Sequence, residues 1–412
     1  MRVILKKEEK MRKSYGWIGV LIFSLLFIPL LYGEEGFKIK PSLEATTAYH
    51  TNIELKAKDT KSDWITYIKP GISLQMPVEK LYMELDYFPT FACFAKHHDS
   101  NYKADTLKGL VRYNFGPHLS VGLEDNYTET EVPGEPGEVY RINTLGCAFK
   151  YQVEQKWSSS IGYQKEKFTD PTEEEEFANY EGEKISLEFK NNFTPRTALK
   201  AGYVFYQRDF TKSSVKDYDS LSLSLGLTHK FSRLWSGSII PTWEYRNYPE
   251  AEQEAERLWG VKANLKASGY KLKFGVNYSF QLSDTVISPE EGVEPYNLSE
   301  LMQFYYNYRY AKVERYGVDV SYKVSHALKL NAGVARQVNS YPDEIVLTND
   351  KIAERPETWK TTFDVYQAGF DFQLNKWVSL GIKYQHVYRD NEPGDNYDYD
   401  IISGGIKASI RF

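Results

Sequence analysis

The sequence predicts an all-β fold, a transmembrane antiparallel up-and-down β-barrel of about 18 strands with short periplasmic turns and long acidic extracellular loops. Three observations predict it. Segments of alternating apolar and polar residues recur along the chain, tight polar turns alternate with long acidic loops, and aromatic residues reach 15% beside 26% charged residues. Strands favour aromatic and β-branched side chains. After Gly33 no apolar run approaches the ~20 residues of a spanning helix, so any insertion into a membrane must be by strands.

The N-terminal element is of another kind. Arg2, Lys6, Lys7, Lys10, Arg12 and Lys13 precede an apolar run from Trp17 to Tyr32, which is followed by Gly33 and Glu34-Glu35. That order predicts a secretory signal peptide over residues 1–33 and a barrel over 34–412. A start at Met11 would leave the compact lead MRKSYG. A retained anchor is the competing reading, but the run is short for a span and Pro29 interrupts it. The two cysteines, Cys93 and Cys147, lie far from that run and on separate strands, so free thiols buried as small apolar groups are expected and lipid attachment is not.

Beyond the leader one unit repeats. NFGPHLSVGL (114–123), NFTPRTALKAGY (192–203), KFSRLWSGSI (230–239) and QLNKWVSLGIKY (373–384) each read as a tight turn entering an alternating strand. Their spacing of roughly 36 to 39 residues holds two strands and one longer loop, so each repeat is a hairpin. The other connections, such as TETEVPGEPGE, RNYPEAEQEAE and RDNEPGDNYDYD, are acidic and rich in Pro and Gly. This asymmetry puts the short turns in the periplasm and the long loops outside the cell.

The segments place strands near 37–50, 62–76, 79–95, 101–115, 117–129, 139–153, 156–169, 179–192, 196–210, 216–230, 233–247, 255–267, 270–284, 309–324, 327–340, 359–374, 376–390 and 399–412. The number is even, and both ends are periplasmic. Alternation assigns the faces: Leu221, Leu223, Leu225 and Leu227 oppose Ser220, Ser222, Ser224 and Gly226, and Leu272, Phe274, Val276, Tyr278 and Phe280 oppose Lys273, Gly275, Asn277, Ser279 and Gln281. Lipid requires the apolar face outward, and a wide lumen holds water against the polar one. A soluble β-solenoid also alternates, but its rungs are shorter than these hairpins.

The last strand puts Ile402, Gly404, Ile406, Ala408, Ile410 and Phe412 outward. An outward terminal aromatic resembles the signal that hands barrels to the assembly machinery of Gram-negative bacteria, with Ile410 and Phe412 carrying it. The first strands carry a closer likeness. Pro41-Ser42-Leu43, Asn52-Ile53, Ser62-Asp63-Trp64-Ile65 and Pro70-Gly71-Ile72 resemble the opening of the second class of β-barrel porin family, whose members are often grouped with exopolysaccharide or capsule production. Thr51 stands where that family is usually acidic, and the likeness covers about the first quarter of the chain. It implies an outer-membrane barrel and carries over no catalytic residue.

Neither a catalytic site, a cofactor site nor a metal site is expected. No G-x-S-x-G or H-E-x-x-H motif occurs, and His118, His229 and His326 fall in or beside periplasmic turns, away from the outer leaflet where a lipid-modifying enzyme would act. His97-His98-Asp99 and the tract around Asp395, Asp398 and Asp400 are read as solvated loops.

The inner face is more informative. Arg112, Lys150, Lys190, Lys200, Lys266, Lys273, Lys323, Lys329, Lys407 and Arg411 form a basic ring near the periplasmic mouth. Such a ring favours anions, unless inward Glu84, Asp86, Glu124, Glu188 and Asp371 neutralise it. Tyr82, Phe88 and Tyr206, read as higher on the wall, are candidates for stacking on sugar rings, with simple filling as the alternative. The expected partners are outer-membrane lipid, lipopolysaccharide, the assembly machinery and exopolysaccharide secretion components, not nucleic acid. The expected role is a porin-like channel for small polar or saccharide solutes. The alternative is a non-conducting secretion scaffold plugged by residues 285–308 or 341–357, with an outer-leaflet enzyme a distant third.

Overall fold

The computed structural model describes residues 37–53, 58–131, 139–154, 156–169, 179–211, 217–249, 255–283, 311–341, 344–348, 351–355, 359–392 and 397–409. The leader assigned to 1–33, the segment 285–308, and Arg411, Ile410 and Phe412 lie outside these residues.

Eighteen strands form one antiparallel sheet. They are β1 (Lys38–His50), β2 (Asp63–Val78), β3 (Leu81–Phe94), β4 (Tyr102–Asn114), β5 (Leu119–Glu131), β6 (Val139–Val153), β7 (Trp157–Thr169), β8 (Tyr180–Thr194), β9 (Thr197–Phe210), β10 (Tyr218–Lys230), β11 (Trp235–Asn247), β12 (Glu256–Ser268), β13 (Leu272–Ser283), β14 (Ala311–Lys323), β15 (Leu328–Tyr341), β18 (Trp359–Gln373), β19 (Val378–Glu392) and β20 (Tyr397–Ser409). The sheet closes where β1 pairs with β20, from Ser42 opposite Ser409 to His50 opposite Ile401. Closure leaves no strand edge unpaired, which a barrel in lipid requires.

The strand count agrees with the sequence reading, and one feature was missed. Residues Glu344–Thr348 (β16) and Lys351–Arg355 (β17) form a two-stranded hairpin inside the loop after β15. The sequence marks 341–357 only as a loop that could fold in, because runs of five residues are too short to show a period.

The recurrent turn has a simple chemical basis. At the strand end an apolar side chain is followed by a Ser, Thr or Asn whose oxygen accepts from the backbone amides two and three residues on. Thr194 accepts from Arg196 (3.1 Å) and Thr197 (3.0 Å), Ser232 from Leu234 (3.1 Å) and Trp235 (3.1 Å), Ser325 from Ala327 (3.2 Å) and Leu328 (3.0 Å), and Asn375 from Trp377 (2.8 Å) and Val378 (3.0 Å). The turn supplies its own hydrogen bonds and so fixes the hairpin register.

The outward face carries an apolar band edged by aromatic rings. Leu123, Leu145, Ile161, Leu225, Ile239, Val334, Ile382 and Ile406 are among its exposed residues, with Tyr113, Tyr151, Trp157 and Trp235 toward the turns. Both cysteines are free, as expected, but they share the parity of this outward face and neither is buried. On the loop side, tyrosines donate to carboxylates that also engage a Lys, Arg or His side chain. Tyr87 reaches Asp105 (2.7 Å), which holds Lys103 (2.5 Å); Tyr127 reaches Glu129 (2.5 Å), which holds Arg141 (2.8 Å); Tyr384 reaches Asp400 (2.7 Å), which holds His386 (2.9 Å). A ring with an apolar body and a hydroxyl at a charge pair is suited to a lipid–water boundary.

The opening motif has a structural reason. Asn52, Ile53, Asp63 and Ile65 are all nearly fully buried at the loop end of β1 and β2. The Asp63 carboxylate accepts from the amides of Trp64 (2.7 Å), Lys96 (3.0 Å) and His97 (2.9 Å) and faces His97 Nδ1 at 2.9 Å, which ties the second extracellular loop to the first. His97 is thereby a partner of Asp63, and no group of three or more metal-ligating side chains occurs among the described residues.

Candidate solute channel

Alternation along each strand fixes which side chains face the lumen. It puts Arg112, Lys150, Lys190, Lys200, Lys266, Lys273, Lys323, Lys329 and Lys407 on the inward parity within a few residues of the periplasmic turns. Arg112, Ser120, Glu124, Lys150, Lys184, Ser186 and Glu188 are among the residues that line a cavity of about 720 Å³ against β4 to β9.

Register decides which of these cations are neutralised. Lys200 binds Glu188 at 2.6 Å, Lys329 binds Asp371 at 3.6 Å, and Lys407 binds Glu44 at 3.4 Å. Among the described residues Arg112, Lys150, Lys190, Lys266, Lys273 and Lys323 form no ion pair. Glu84 is engaged by Gln75 and by Tyr82 at 2.7 Å, and Glu124 by Asn126 at 2.9 Å, so neither reaches a ring cation.

The ring is the lower end of a longer basic surface. Lys69, Lys108, Lys184, Lys262, Arg315 and Lys383 have the same inward parity further from the turns. Only the residues nearest the mouth were picked from the sequence, although parity alone would have found the rest.

The three proposed stacking residues do not form one platform. Tyr82 stands opposite Pro77, one step from the β2–β3 turn, so it lies low on the wall rather than high. The ring of Phe88 lies over Gly71, where a Cβ would sit 2.5 Å from it, and Tyr206 lies over Gly182, where a Cβ would meet its hydroxyl at 2.6 Å. Each ring covers the gap left by a neighbouring strand's glycine.

Tyr206 belongs instead to a row near the outer end of β6 to β11. Tyr140, Phe168 and Tyr180 stack in sequence at 6.2 and 5.6 Å, Arg208 lies 4.1 Å over Tyr180, and Arg246 lies 4.5 Å over Tyr218. Glu166 lies 3.7 Å from Arg208 and Glu244 2.7 Å from Arg246, so these cations are held and buried. On the opposite wall Ile65, Tyr67, Phe94, Phe363, Val365, Val387 and Ile401 make an inward apolar cluster that includes Ile53. The outer half is therefore packed along parts of its wall, and the periplasmic half is polar and charged.

The barrel has close structural counterparts. OpdQ of Pseudomonas aeruginosa aligns with a TM-score of 0.54 at 11% identity over 92% of this chain and 100% of that one. OccAB4 of Acinetobacter baumannii aligns at 0.53 and 13% identity, over 92% and 99%, and the outer membrane protein opdK of Pseudomonas aeruginosa at 0.51 and 11%, over 91% and 99%. The fold is that of the 18-stranded outer-membrane porins. No protein-family model matches the chain, and no curated protein matches its sequence. The porin barrel, its apolar band and its aromatic edges place the chain in the bacterial outer membrane. The fold agrees with the outer-membrane barrel that the opening motif of β1 and β2 implies.

Proposed function

We propose that this chain is a porin-like diffusion channel for small polar solutes, with a preference for solutes that carry negative charge. The observation that carries the reading is the set of unpaired inward cations, Arg112, Lys150, Lys190, Lys266, Lys273 and Lys323, around the periplasmic half of the lumen. An 18-stranded barrel is wide enough to hold water. Charges of one sign on a low-dielectric wall raise the local concentration of counterions, and three of the carboxylates that share the lumen, Glu44, Glu188 and Asp371, are each held by one lysine, Lys407, Lys200 and Lys329, which leaves the six other cations without an ion-pair partner among the described residues. Diffusion of this kind requires no chemical step of the protein.

Swelling of proteoliposomes tests the reading. Small monovalent organic anions should enter faster than neutral disaccharides of similar size, and equal rates would remove the anion preference.

A second reading is a scaffold or accessory protein in exopolysaccharide or capsule secretion, as the opening motif implies. The packing of Ile65, Phe94, Phe363 and Val387 toward the lumen favours it, since such packing narrows the outer half. Swelling no faster than in protein-free liposomes for every solute would select this reading.

A further inference from the structure

We propose that the inner wall formed by β6 to β9 holds a binding subsite for a doubly charged oxyanion of the phosphate type. The inference rests on the channel reading above and goes further by naming a place and a ligand chemistry.

Register brings the groups of this subsite together. Lys190 on β8 stands directly opposite Lys200 on β9, both on the inward face. Like charges directly opposite on neighbouring strands destabilise a sheet. Only Lys200 has a carboxylate, Glu188 at 2.6 Å, so Lys190 remains uncompensated beside it. On the other side, Lys190 pairs with Ser158 of β7, and Lys150 of β6 pairs with Ser160. Lys150, Ser158, Ser160, Lys190, Glu188 and Asn192 line one cavity of about 250 Å³.

The donor set defines the ligand. Two ammonium groups without carboxylates and two hydroxyls converge on the cavity, and its only carboxylate is already held by Lys200. The site thus carries an excess of two positive charges. A monovalent anion leaves one of them unbalanced, whereas a dianion balances both and offers several oxygens to donors on three strands. The cavity is large enough for such an oxyanion with bridging water.

The same arrangement recurs on β14 and β15. Lys323 stands opposite Lys329, which is held by Asp371, and Lys323 has no carboxylate of its own among the described residues.

Inorganic phosphate is the probe. Added to wild-type channels in a potassium chloride bath, it should reduce the chloride current with half-effect in the millimolar range. The double variant K150Q/K190Q should raise that concentration at least tenfold, while K40Q, on the inner face of β1 and outside the cavity, should leave it unchanged. Calorimetric titration of phosphate into the folded barrel in detergent reads the same site without any current. Heat of binding that is lost in K150Q/K190Q but kept in K40Q supports the subsite. Phosphate that neither binds nor blocks, or that acts equally on K150Q/K190Q, overturns it. A chloride-selective channel indifferent to phosphate would remove the subsite and leave the channel standing; phosphate binding to a barrel that never conducts would do the reverse.

Discussion

Reversing Lys273 and Lys323 tests the electrostatic account of the lumen most sharply. Both lysines face inward near the periplasmic turns, and neither is paired with a carboxylate among the described residues. At roughly 6 Å in water a unit charge shifts a monovalent ion by about 0.7 kcal/mol, so exchanging Lys for Glu shifts it by about 1.4 kcal/mol. Screening at 0.1 M salt, with a Debye length of about 10 Å, reduces this to about 0.8 kcal/mol. The shift raises the anion's energy and lowers the cation's, a difference of about 1.5 kcal/mol, or roughly tenfold in the ratio of permeabilities for each substitution an ion passes closely. In K273E/K323E the reversal potential across a potassium chloride gradient should move from the chloride toward the potassium value. The same exchange at Lys407, which Glu44 already holds, should move it less. A reversal potential unchanged in K273E/K323E would show that these side chains do not meet the permeating ion.

Three further outcomes follow from the fold. Val276→Lys, on the apolar face, should lower barrel stability by about 2 to 3 kcal/mol in urea unfolding from lipid, while Asn277→Lys, one residue on but facing the lumen, should cost little; similar losses would mean the faces of β13 are misassigned. Asp63→Ala removes the acceptor for three amides and the partner of His97, so the loop at 95–101 should become a site of rapid protease cleavage with the barrel intact; unchanged resistance would refute its role as a tie. Ser232→Ala deletes two turn bonds and should destabilise by about 1 kcal/mol, measured by the same unfolding.

Much of this molecule was legible because a barrel is built from local rules. Alternation and turn spacing are encoded residue by residue, so strand number, the faces of β10 and β13 and the side on which the turns lie could be read directly. Register was not legible, because it depends on neighbouring strands. Nothing near Lys200 in sequence says that Glu188 will neutralise it, or that Lys190 will stand opposite. The height of Tyr82 was misjudged for the same reason, since position along a strand has meaning only relative to its turn.

The packed outer half was missed through a general rule applied too far. Inward residues were expected to be wet, yet Trp64, Ile65, Tyr67 and Ile68 put apolar or aromatic side chains on both faces of β2. Trp64 and Ile68 turn outward and Ile65 and Tyr67 inward, where they are buried. An alternating strand that loses its polar face at one end was the available signal. The cysteines show the converse: small apolar groups were assigned to an interior, but in a barrel the apolar environment is on the outside.

The central claim is that the periplasmic half of this barrel is a water-filled, cation-lined passage continuous with the outside. Single-channel recording of the purified wild-type protein in planar bilayers tests it most directly. The account predicts discrete conductance steps that carry chloride in preference to potassium. Bilayers that remain silent at every salt concentration, with protein shown to be folded and inserted, would contradict it.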